Sequence, residues 1–426
     1  MRISLPCTRL GPAALHGNTV LLRPPRLADF GAWRRIRLRD RRLIEPFWFS
    51  SPLDWSQRHT GKLWVRELLT IRADARRGRR LALAIEVDGR FAGQIELGSL
   101  DRAAGSGEMG IWVDAEVARR GLGGLAAALL LDFGFGPGGL ARITAPISPA
   151  NIAAASGAAQ MGFRREALMR QYFDTDGARR DHELWAITES DVPPGGFVTW
   201  WIAHHQGVAP LAGAPAAVGR EAIDDEILSP ATLFLASVRY ALGRLAHLAD
   251  PVRSSPRVRL DDPGPPHITV RNRKLTDWPR WRAAWLRQSG SECRFIHWLR
   301  ESLCARAGLR SRQGLILAIE TDGSYSGECR LFDLDMFDGN ARLAVWGADP
   351  AARETAVRML LGHAFGGLGL RRVAMAIEPD NSDAAGMAAR VGMVREGTMR
   401  AFAVGGSEQG RTDYDLWAAV AAHTED

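Results

Sequence analysis

The stretch best suited to chemistry is Val113–Leu125, which reads V-D-A-E-V-A-R-R-G-L-G-G-L. Arg119, Arg120, Gly121, Leu122, Gly123 and Gly124 stand there between an apolar run ending at Val113 and an Ala/Leu-rich run beginning at Leu122. Glycines let backbone N–H groups approach an anion closely, a helix starting at this point adds the positive end of its dipole, and two guanidinium groups add charge. A diphosphate would be well held by such a loop. The plain alternative is an ordinary Gly-rich connection carrying two solvated arginines.

The elements around the loop follow from local pattern. Val20–Arg23 is expected as a strand, Leu27–Arg37 as an amphipathic helix, and Arg58–Arg72 as further helix. Leu81–Val87 and Phe91–Leu97 flank Asp88-Gly89, and a D-G pair between alternating apolar residues is a strong hairpin signal. Glu108–Val113 is a strand, Leu122–Gly134 a helix, Ile143–Ile147 a strand and Ile152–Gln160 a helix. Closing strands are expected at Arg165–Phe173 and His182–Ile187. This order predicts an α+β fold, a mixed and mainly antiparallel sheet flanked by helices, and not an alternating doubly wound pattern.

The chain then repeats itself. Leu22–Trp33 lies over Val270–Trp281 at an offset of 248, matching Arg23 with Arg271 and Asp29 with Asp277. Leu83–Gly93 lies over Leu317–Gly327, and Trp112 over Trp346, at 234. Beyond that the offset is 230, pairing Arg142 with Arg372, Asn151 with Asn381, Gly162 with Gly392 and Glu166 with Glu396. Each copy is a whole domain in length. The expected division is a domain over 1–191, a linker over 192–266 and a second domain over 267–426. Pro193-Pro194-Gly195-Gly196 and Asp261-Asp262-Pro263-Gly264-Pro265-Pro266 punctuate the linker, and helical spacing appears within it near 230–249.

Composition excludes several classes. The 426 residues are 46% hydrophobic and 24% charged, close to average globular usage, which disfavours a disordered chain, a collagen or a multi-span membrane protein. The N-terminus, with Arg2 and Arg9 in a short mixed stretch, lacks the apolar core of a secretory signal. Cys7, Cys293, Cys304 and Cys329 form no C-x-x-C pair and have no histidine at zinc-ligand spacing, so no disulfide framework and no metal site is expected. Reduced thiols fit a cytoplasmic protein. Residues 1–190 carry 28 Lys/Arg against 20 Asp/Glu, a net +8, and residues 191–426 carry 27 against 28, a net −1. An anionic partner should therefore meet the front part. Aromatic residues interleaved with basic ones, as RNA binding on a sheet would need, are not evident, so nucleic acid is not an expected partner.

Strand, R-x-G-x-G loop and helix are followed by Pro149-Ala150-Asn151 and by Met161-Gly162-Phe163 with Arg165-Glu166. This succession resembles the GNAT acyl-CoA N-acyltransferases, and the front copy is most similar to the RimJ/RimL type that acetylates N-termini of ribosomal proteins. The resemblance covers roughly residues 18–190 and again 267–420. It implies two GNAT folds in tandem, with acetyl-CoA as co-substrate and no metal. It implies a bulged strand end at which Ile111, Trp112 and Val113 offer backbone groups to the acetyl and pantetheine arm. Arg119–Gly124 would hold the diphosphate, and Asn151 would contact the arm near sulfur. Glu108, in Gly107-Glu108-Met109-Gly110, stands where the family often places the base that deprotonates the amine, with Glu96 on the neighbouring strand as substitute.

Two positions depart from the family pattern. Ala154 replaces a serine that many relatives carry three residues after the asparagine, so Tyr172 on a late strand becomes the candidate acid. Ala118 replaces the loop's leading Gln or Arg, for which Arg119 or Arg120 compensates. Trp48 and Trp55 are candidates to line the acceptor pocket. His204-His205 lacks the following Asp-Gly of condensation-type acyltransferases and reads as linker.

In the second copy Asp349-Pro350-Ala351-Ala352-Arg353-Glu354 replaces the loop without any glycine, and Arg342 stands across from Glu108. That copy reads as a degenerate, non-catalytic domain. The expectation is an acetyl-CoA-dependent N-acetyltransferase acting on a protein N-terminal amine, with no membrane partner and with the two copies able to pair within the chain. The alternatives are a small-molecule amine acceptor or a non-catalytic acyl-CoA-binding sensor.

Overall fold

The computed structural model describes residues 5–101, 104–175, 177–206, 228–249, 258–289, 293–311, 314–335, 337–404 and 410–422. They fall into two compact units. The first comprises Met1–Glu166, Asp174–Ala249 and Arg400–Thr412; the second comprises Ala167–Phe173, Asp250–Met399 and Asp413–Asp426.

In the first unit the chain runs through β1 (Leu10–Leu15), β2 (Asn18–Arg23), α1 (Phe30–Arg39), α2 (Arg41–Ile44), α3 (Gly61–Arg77), β3 (Leu81–Val87), β4 (Arg90–Asp101), β5 (Ser106–Val113), α4 (Leu122–Phe135), β6 (Arg142–Ile147), α5 (Ile152–Gln160), β7 (Arg164–Thr175), β8 (Ala178–Thr188), α6 (Gly196–His205) and α7 (Pro230–Ala249). Its strands lie in the order β1-β2-β3-β4-β5-β6-β8, antiparallel except for the parallel β5–β6 pair. The β3–β4 turn has both central residues at positive φ, Asp88 at 48° and Gly89 at 79°. That is the type I′ geometry whose twist matches the flanking strands.

Alternation along the strands sorts side chains onto two cores. Leu81, Leu83 and Ile85 of β3 pack with α4 and α5, while Ala84 packs with Phe30, Trp33, Trp64 and Trp112 beneath α1 and α3. Helix α4 is apolar on nearly every side, and ten of its residues are buried, as a helix without a polar face must be.

The expected linker is divided: residues 192–206 and 228–249 belong to the first unit, and Arg259–Asp262, expected as linker, form strand β9 of the second unit, paired with β10 (Ile268–Asn272). The Asp132 carboxylate of α4 accepts from the backbone N–H groups of Phe197 and Val198 (2.6 and 3.0 Å), anchoring the start of α6. Helix α7 occupies the span expected for a helix and packs along α3. Residues 207–227 and 250–257 of the expected linker lie outside the described residues. Each unit also takes in a short segment from the other half of the chain. In the first unit Arg142 clasps Glu166 (3.1 and 2.5 Å) and donates to the Arg400 carbonyl (2.6 Å). Arg400 itself pairs with Glu166 and Asp191 (3.0 and 3.1 Å).

The second unit contains β9 (Arg259–Asp262), β10 (Ile268–Asn272), α8 (Trp278–Ser289), α9 (Phe295–Ser311), β11 (Gly314–Thr321), β12 (Ser324–Asp335), β13 (Asn340–Gly347), α10 (Pro350–Gly362), β14 (Arg372–Ile377), α11 (Ser382–Arg390), β15 (Val394–Val404) and β16 (Arg411–Val420). From β10 onward the order repeats that of the first unit from β2, except that the short α2 has no counterpart, and the sheet order β9-β10-β11-β12-β13-β14-β16 matches it. Even the arginine clasp recurs 230 positions later: Arg372 holds Glu396 (2.7 and 2.5 Å) and donates to the Arg170 carbonyl (3.0 Å).

Candidate active site

Strand β5 is paired on one side only along its second half. With β4 its register is regular from Gly93↔Val113 to Gly98↔Glu108, whereas its parallel pairing with β6 stops at Glu108↔Thr144. The expected bulge at Ile111–Val113 is thus absent from the β4 ladder. The interruption lies on the other edge, where β5 and β6 part and leave the backbone of Met109–Val113 without a strand partner. Ile111 is exposed there and Trp112 is buried on the opposite face.

Beyond β5 the loop is pinned before it turns. The buried Asp114 carboxylate accepts from Arg39 and from the Glu116 N–H (2.8 Å), and Asp40 accepts from the Ala115 N–H (2.9 Å). Arg119 (φ 63°) and Gly121 (φ 74°) then take left-handed conformations. Gly121 is the residue before α4, and no side chain caps that helix. The N–H groups of its first turn are the free donors an anion needs. Arg119 and Arg120 are exposed.

The glycines of this loop serve different purposes. A Cβ on Gly121 would press on Leu15 at 3.0 Å, and one on Gly123 on Val113 at 3.3 Å. A Cβ on Gly124 would run into the indole of Trp201, whose Nε1 donates to the Gly121 carbonyl (2.9 Å). Gly124 is therefore required by α6. His205, stacked on Trp201 with centroids 3.9 Å apart, ends α6 beside Gly121. Leu122 buries its side chain in the core, so only its backbone can face a ligand.

Asn151 caps α5, its Oδ1 accepting from the Ala154 N–H at 3.1 Å. Asn381 does the same for α11 at 3.0 Å, so this asparagine has a fold role in both units. Tyr172 is not grouped with the front site. It lies in the part of β7 that belongs to the second unit, where β15 pairs with it (Gly397↔Ala167), Asn340 donates to its carbonyl (2.8 Å) and the Arg372 guanidinium lies 5.9 Å from its ring.

On the α1/α3 face of the sheet, the register sets Gln94, Glu96 and Gly98 of β4 opposite Trp112, Gly110 and Glu108 of β5. The Trp112 indole donates to Gln94 Oε1 (3.1 Å), and Glu96 is held by Arg80 (2.9 Å). Glu108 is half-buried and the Gly110 backbone is exposed between the two carboxylates. Three further groups line this face. Arg37 is buried with its Cζ 3.8 Å from the Trp48 ring centroid and 4.6 Å from that of Trp112, and burial lowers its pKa to about 9. Burial pushes the Glu67 carboxyl of α3 above the usual carboxylate range. His59 lies between the Trp33 and Trp55 rings, and burial takes it down to about 4.

Sequence reasoning missed Arg37, Glu67 and the α6 contribution. Glu67 had a visible signal, an acid within the apolar stripe of Trp64, Leu68 and Ile71. The aromatic run Phe197–Trp201 after Gly195-Gly196 was likewise too apolar for a solvated linker.

Residues 19–164 match the family model described as an acetyltransferase (GNAT) domain. Among solved structures, the chain is similar to Mycobacterium smegmatis RimJ in complex with a CoA disulfide, at 36% identity over 47% of this chain and 95% of that one, with a TM-score of 0.45. It is also similar to a ribosomal-protein alanine acetyltransferase from Vibrio fischeri (22% identity, 40% and 94% covered, TM-score 0.37). A third match is RimL, a ribosomal alpha-N-protein acetyltransferase, in complex with coenzyme A (17%, 42% and 98%, TM-score 0.38). No curated protein matches. Through its front unit the chain belongs to the GNAT acetyltransferase family, and that unit is an acyltransferase domain.

Proposed function

We propose that the front unit is an acetyl-CoA-dependent N-acetyltransferase whose acceptor is a protein N-terminal amine of the ribosomal-protein type. The observation that carries this reading is the start of α4: no side chain caps it, Gly121 leads into it in a left-handed conformation, two exposed arginines precede it, and it stands next to the open edge of β5. The acetyl-CoA diphosphate would take the backbone N–H groups and guanidinium groups of Arg119–Gly124. The pantetheine arm would lie along the backbone of Ile111, Trp112 and Val113. With its Oδ1 committed to Ala154, Asn151 would offer Nδ2 toward the arm. The 36% identity to RimJ supports the acceptor class.

In the reaction, the amine attacks the thioester carbonyl, the C–N bond forms and the C–S bond breaks. Glu108 takes the amine's proton, and backbone N–H groups on the open edge of β5 stabilise the oxyanion as it develops. The proton leaves with the CoA thiol. Glu96 is the substitute base, its carboxylate accepting from Arg80 Nε at 2.9 Å.

We further propose that the second unit is a degenerate GNAT fold without a coenzyme site. Its element order and splayed β13–β14 pair repeat the front unit, but Asp349 caps α10 through the N–H groups of Ala351 and Ala352. A carboxylate of the chain itself thus fills the anion position. Glu354 at the start of the same helix is paired with Arg358 and Arg390, both at 2.6 Å.

Thiol release from acetyl-CoA, followed with a panel of N-terminal peptides and a panel of small amines, tests this reading. Peptide-dependent release that Glu108→Gln abolishes is expected. Turnover with small amines alone would move the acceptor class, and CoA binding without turnover on either panel would make the protein a sensor.

A further inference from the structure

The described structure contains six fully buried arginines, and five of them hold carboxylates: Arg23 with Asp29 and Glu86, Arg142 with Glu166, Arg271 with Asp277 and Glu320, Arg273 with Glu328, and Arg372 with Glu396. Arg37 is the exception. It is 2% exposed, yet its Nε and Nη1 have no hydrogen-bond partner among the described residues. Its surroundings are three indoles, Trp48, Trp112 and Trp55, with centroids 3.8, 4.6 and 5.7 Å from Cζ. Aromatic faces attract a cation, but they accept none of the in-plane N–H bonds that a guanidinium offers. Leaving those donors unmet in a dry site is costly.

The position matters as much as the deficit. Arg37 lies against Trp112 on the face of the sheet that carries Gln94, Glu96 and Glu108. Trp112 and Trp55 are buried walls of its cage, whereas Trp48 is partly exposed. The second unit has an indole in place of this cation: Trp285, 248 positions later, stacks on Trp281 and meets Trp346 edge-on.

We propose that Arg37 is the specificity-determining cation of the acceptor site. The amine it selects carries an oxygen acceptor on the adjacent carbon, either the first carbonyl of a peptide or the carboxylate of a free amino acid. This rests on the reading of the front unit as an acetyl-CoA-dependent N-acetyltransferase. A planar fork of N–H donors fits such an oxygen and does nothing for a plain alkylamine.

The test uses the full chain with acetyl-CoA and three acceptors of similar size around the amine: an alanine-led tripeptide, free alanine and isopropylamine. Wild type is expected to favour at least one carbonyl-bearing acceptor over isopropylamine. Arg37→Met, which fills the indole cage with an apolar chain, should erase that preference by about 10- to 100-fold, mainly through KM, as expected for a charged hydrogen bond. CoA affinity, read by calorimetry, reports whether the variant keeps its coenzyme site. Arg37→Lys, keeping the charge without the fork, should fall between the two. A preference for the tripeptide assigns the peptide carbonyl, and one for free alanine assigns the carboxylate. A wild-type enzyme that favours isopropylamine equally, or an Arg37→Met or Arg37→Lys enzyme that keeps the full preference, overturns the proposal. Absence of transfer by wild type to any acceptor overturns the acetyltransferase reading and this inference with it.

Discussion

At the helix that follows the splayed strand, the two units use the same peptide dipoles in opposite ways. The Asp349 carboxylate accepts from the N–H groups of Ala351 and Ala352 (3.0 and 3.1 Å), and Arg353 donates to the carbonyls of Gly347 and Ala348 (3.1 and 3.2 Å). Helix α10 is thereby closed by its own chain. In α4 the same place is left to backbone N–H groups and two arginines. The sheet face shows the same contrast. Glu328 replaces Gln94 and is fully enclosed, bonded to Arg273, Arg330 and the Trp346 indole, while Glu301 replaces Glu67 and pairs with the same two arginines. At these two places the second unit meets its polar groups with its own carboxylates and arginines, whereas the first leaves the start of α4 without a side-chain cap and Arg37 Nε and Nη1 without a hydrogen-bond partner among the described residues. A fold survives either choice, but only open donors can bind a ligand, and they are held at a cost in stability.

This contrast can be broken most directly at the base. Glu108→Gln should lower kcat by about 10²- to 10⁴-fold while CoA affinity stays intact. Arg342→Gln, its counterpart, should leave steady-state transfer unchanged. Equal losses from both would remove the distinction between the units.

Next in size are the two cores. Leu130→Ala in α4 and Leu360→Ala in α10 delete fully buried side chains and should each cost about 2–5 kcal/mol in urea unfolding. Only the first should reduce coenzyme affinity in protein that is still folded.

The pH dependence of stability should separate the units as well. His59 is held neutral by burial, with its folded pKa down at about 4 against about 6.5 unfolded. The unfolded chain therefore binds the extra proton first as pH falls. Stability is complete above about pH 6.5 and drops by up to roughly 3 kcal/mol by pH 4. Urea titrations at pH 7.5 and 4.5 should show this step, and His59→Phe should flatten it. Cys293 stands 234 positions later, so the second unit has no counterpart of this histidine; burial lowers His363 there as well, and the part of the acid loss that it contributes should survive His59→Phe.

A double charge reversal, Arg119→Glu with Arg120→Glu, should weaken CoA binding by about 10- to 100-fold, less at high salt, measured by calorimetry. The smallest effect belongs to the cap: Asp349→Ala should cost about 1 kcal/mol and change neither CoA binding nor transfer. A gain of CoA affinity there would show that the second unit lost its site to this one carboxylate.

Local pattern was enough for the β3–β4 hairpin, α4, α5 and the loop between β5 and α4. Asp88-Gly89 states its turn by conformational preference, and an Ala/Leu run bounded by glycines states its helix and ends. The repeat was legible because Arg23 with Asp29, Trp112 and Arg142 with Glu166 each have partners at constant offsets. Helix α6 was only half legible: the run Phe197–Trp201 is too apolar for a solvated linker, but nothing within the segment announces that Asp132, 65 residues before Phe197, anchors its start. Nor could spacing reveal that Gly124 yields to Trp201.

The sequence by itself determined that the chain repeats a domain-length pattern of residues, that only the first copy has a glycine-rich loop between an apolar strand and a helix, and that the positive charge resides with it. These are properties of residue type and short-range spacing. Tertiary structure alone decided which polar groups remain unsatisfied. Arg37 becomes a cation without a hydrogen-bond partner at Nε or Nη1 only when α1 is laid against Trp112 of β5, and the segments 167–173 and 400–412 acquire their units only through long-range pairing. Satisfaction of a buried group is a property of its neighbours in space, and residues 75 apart become neighbours only in the folded chain.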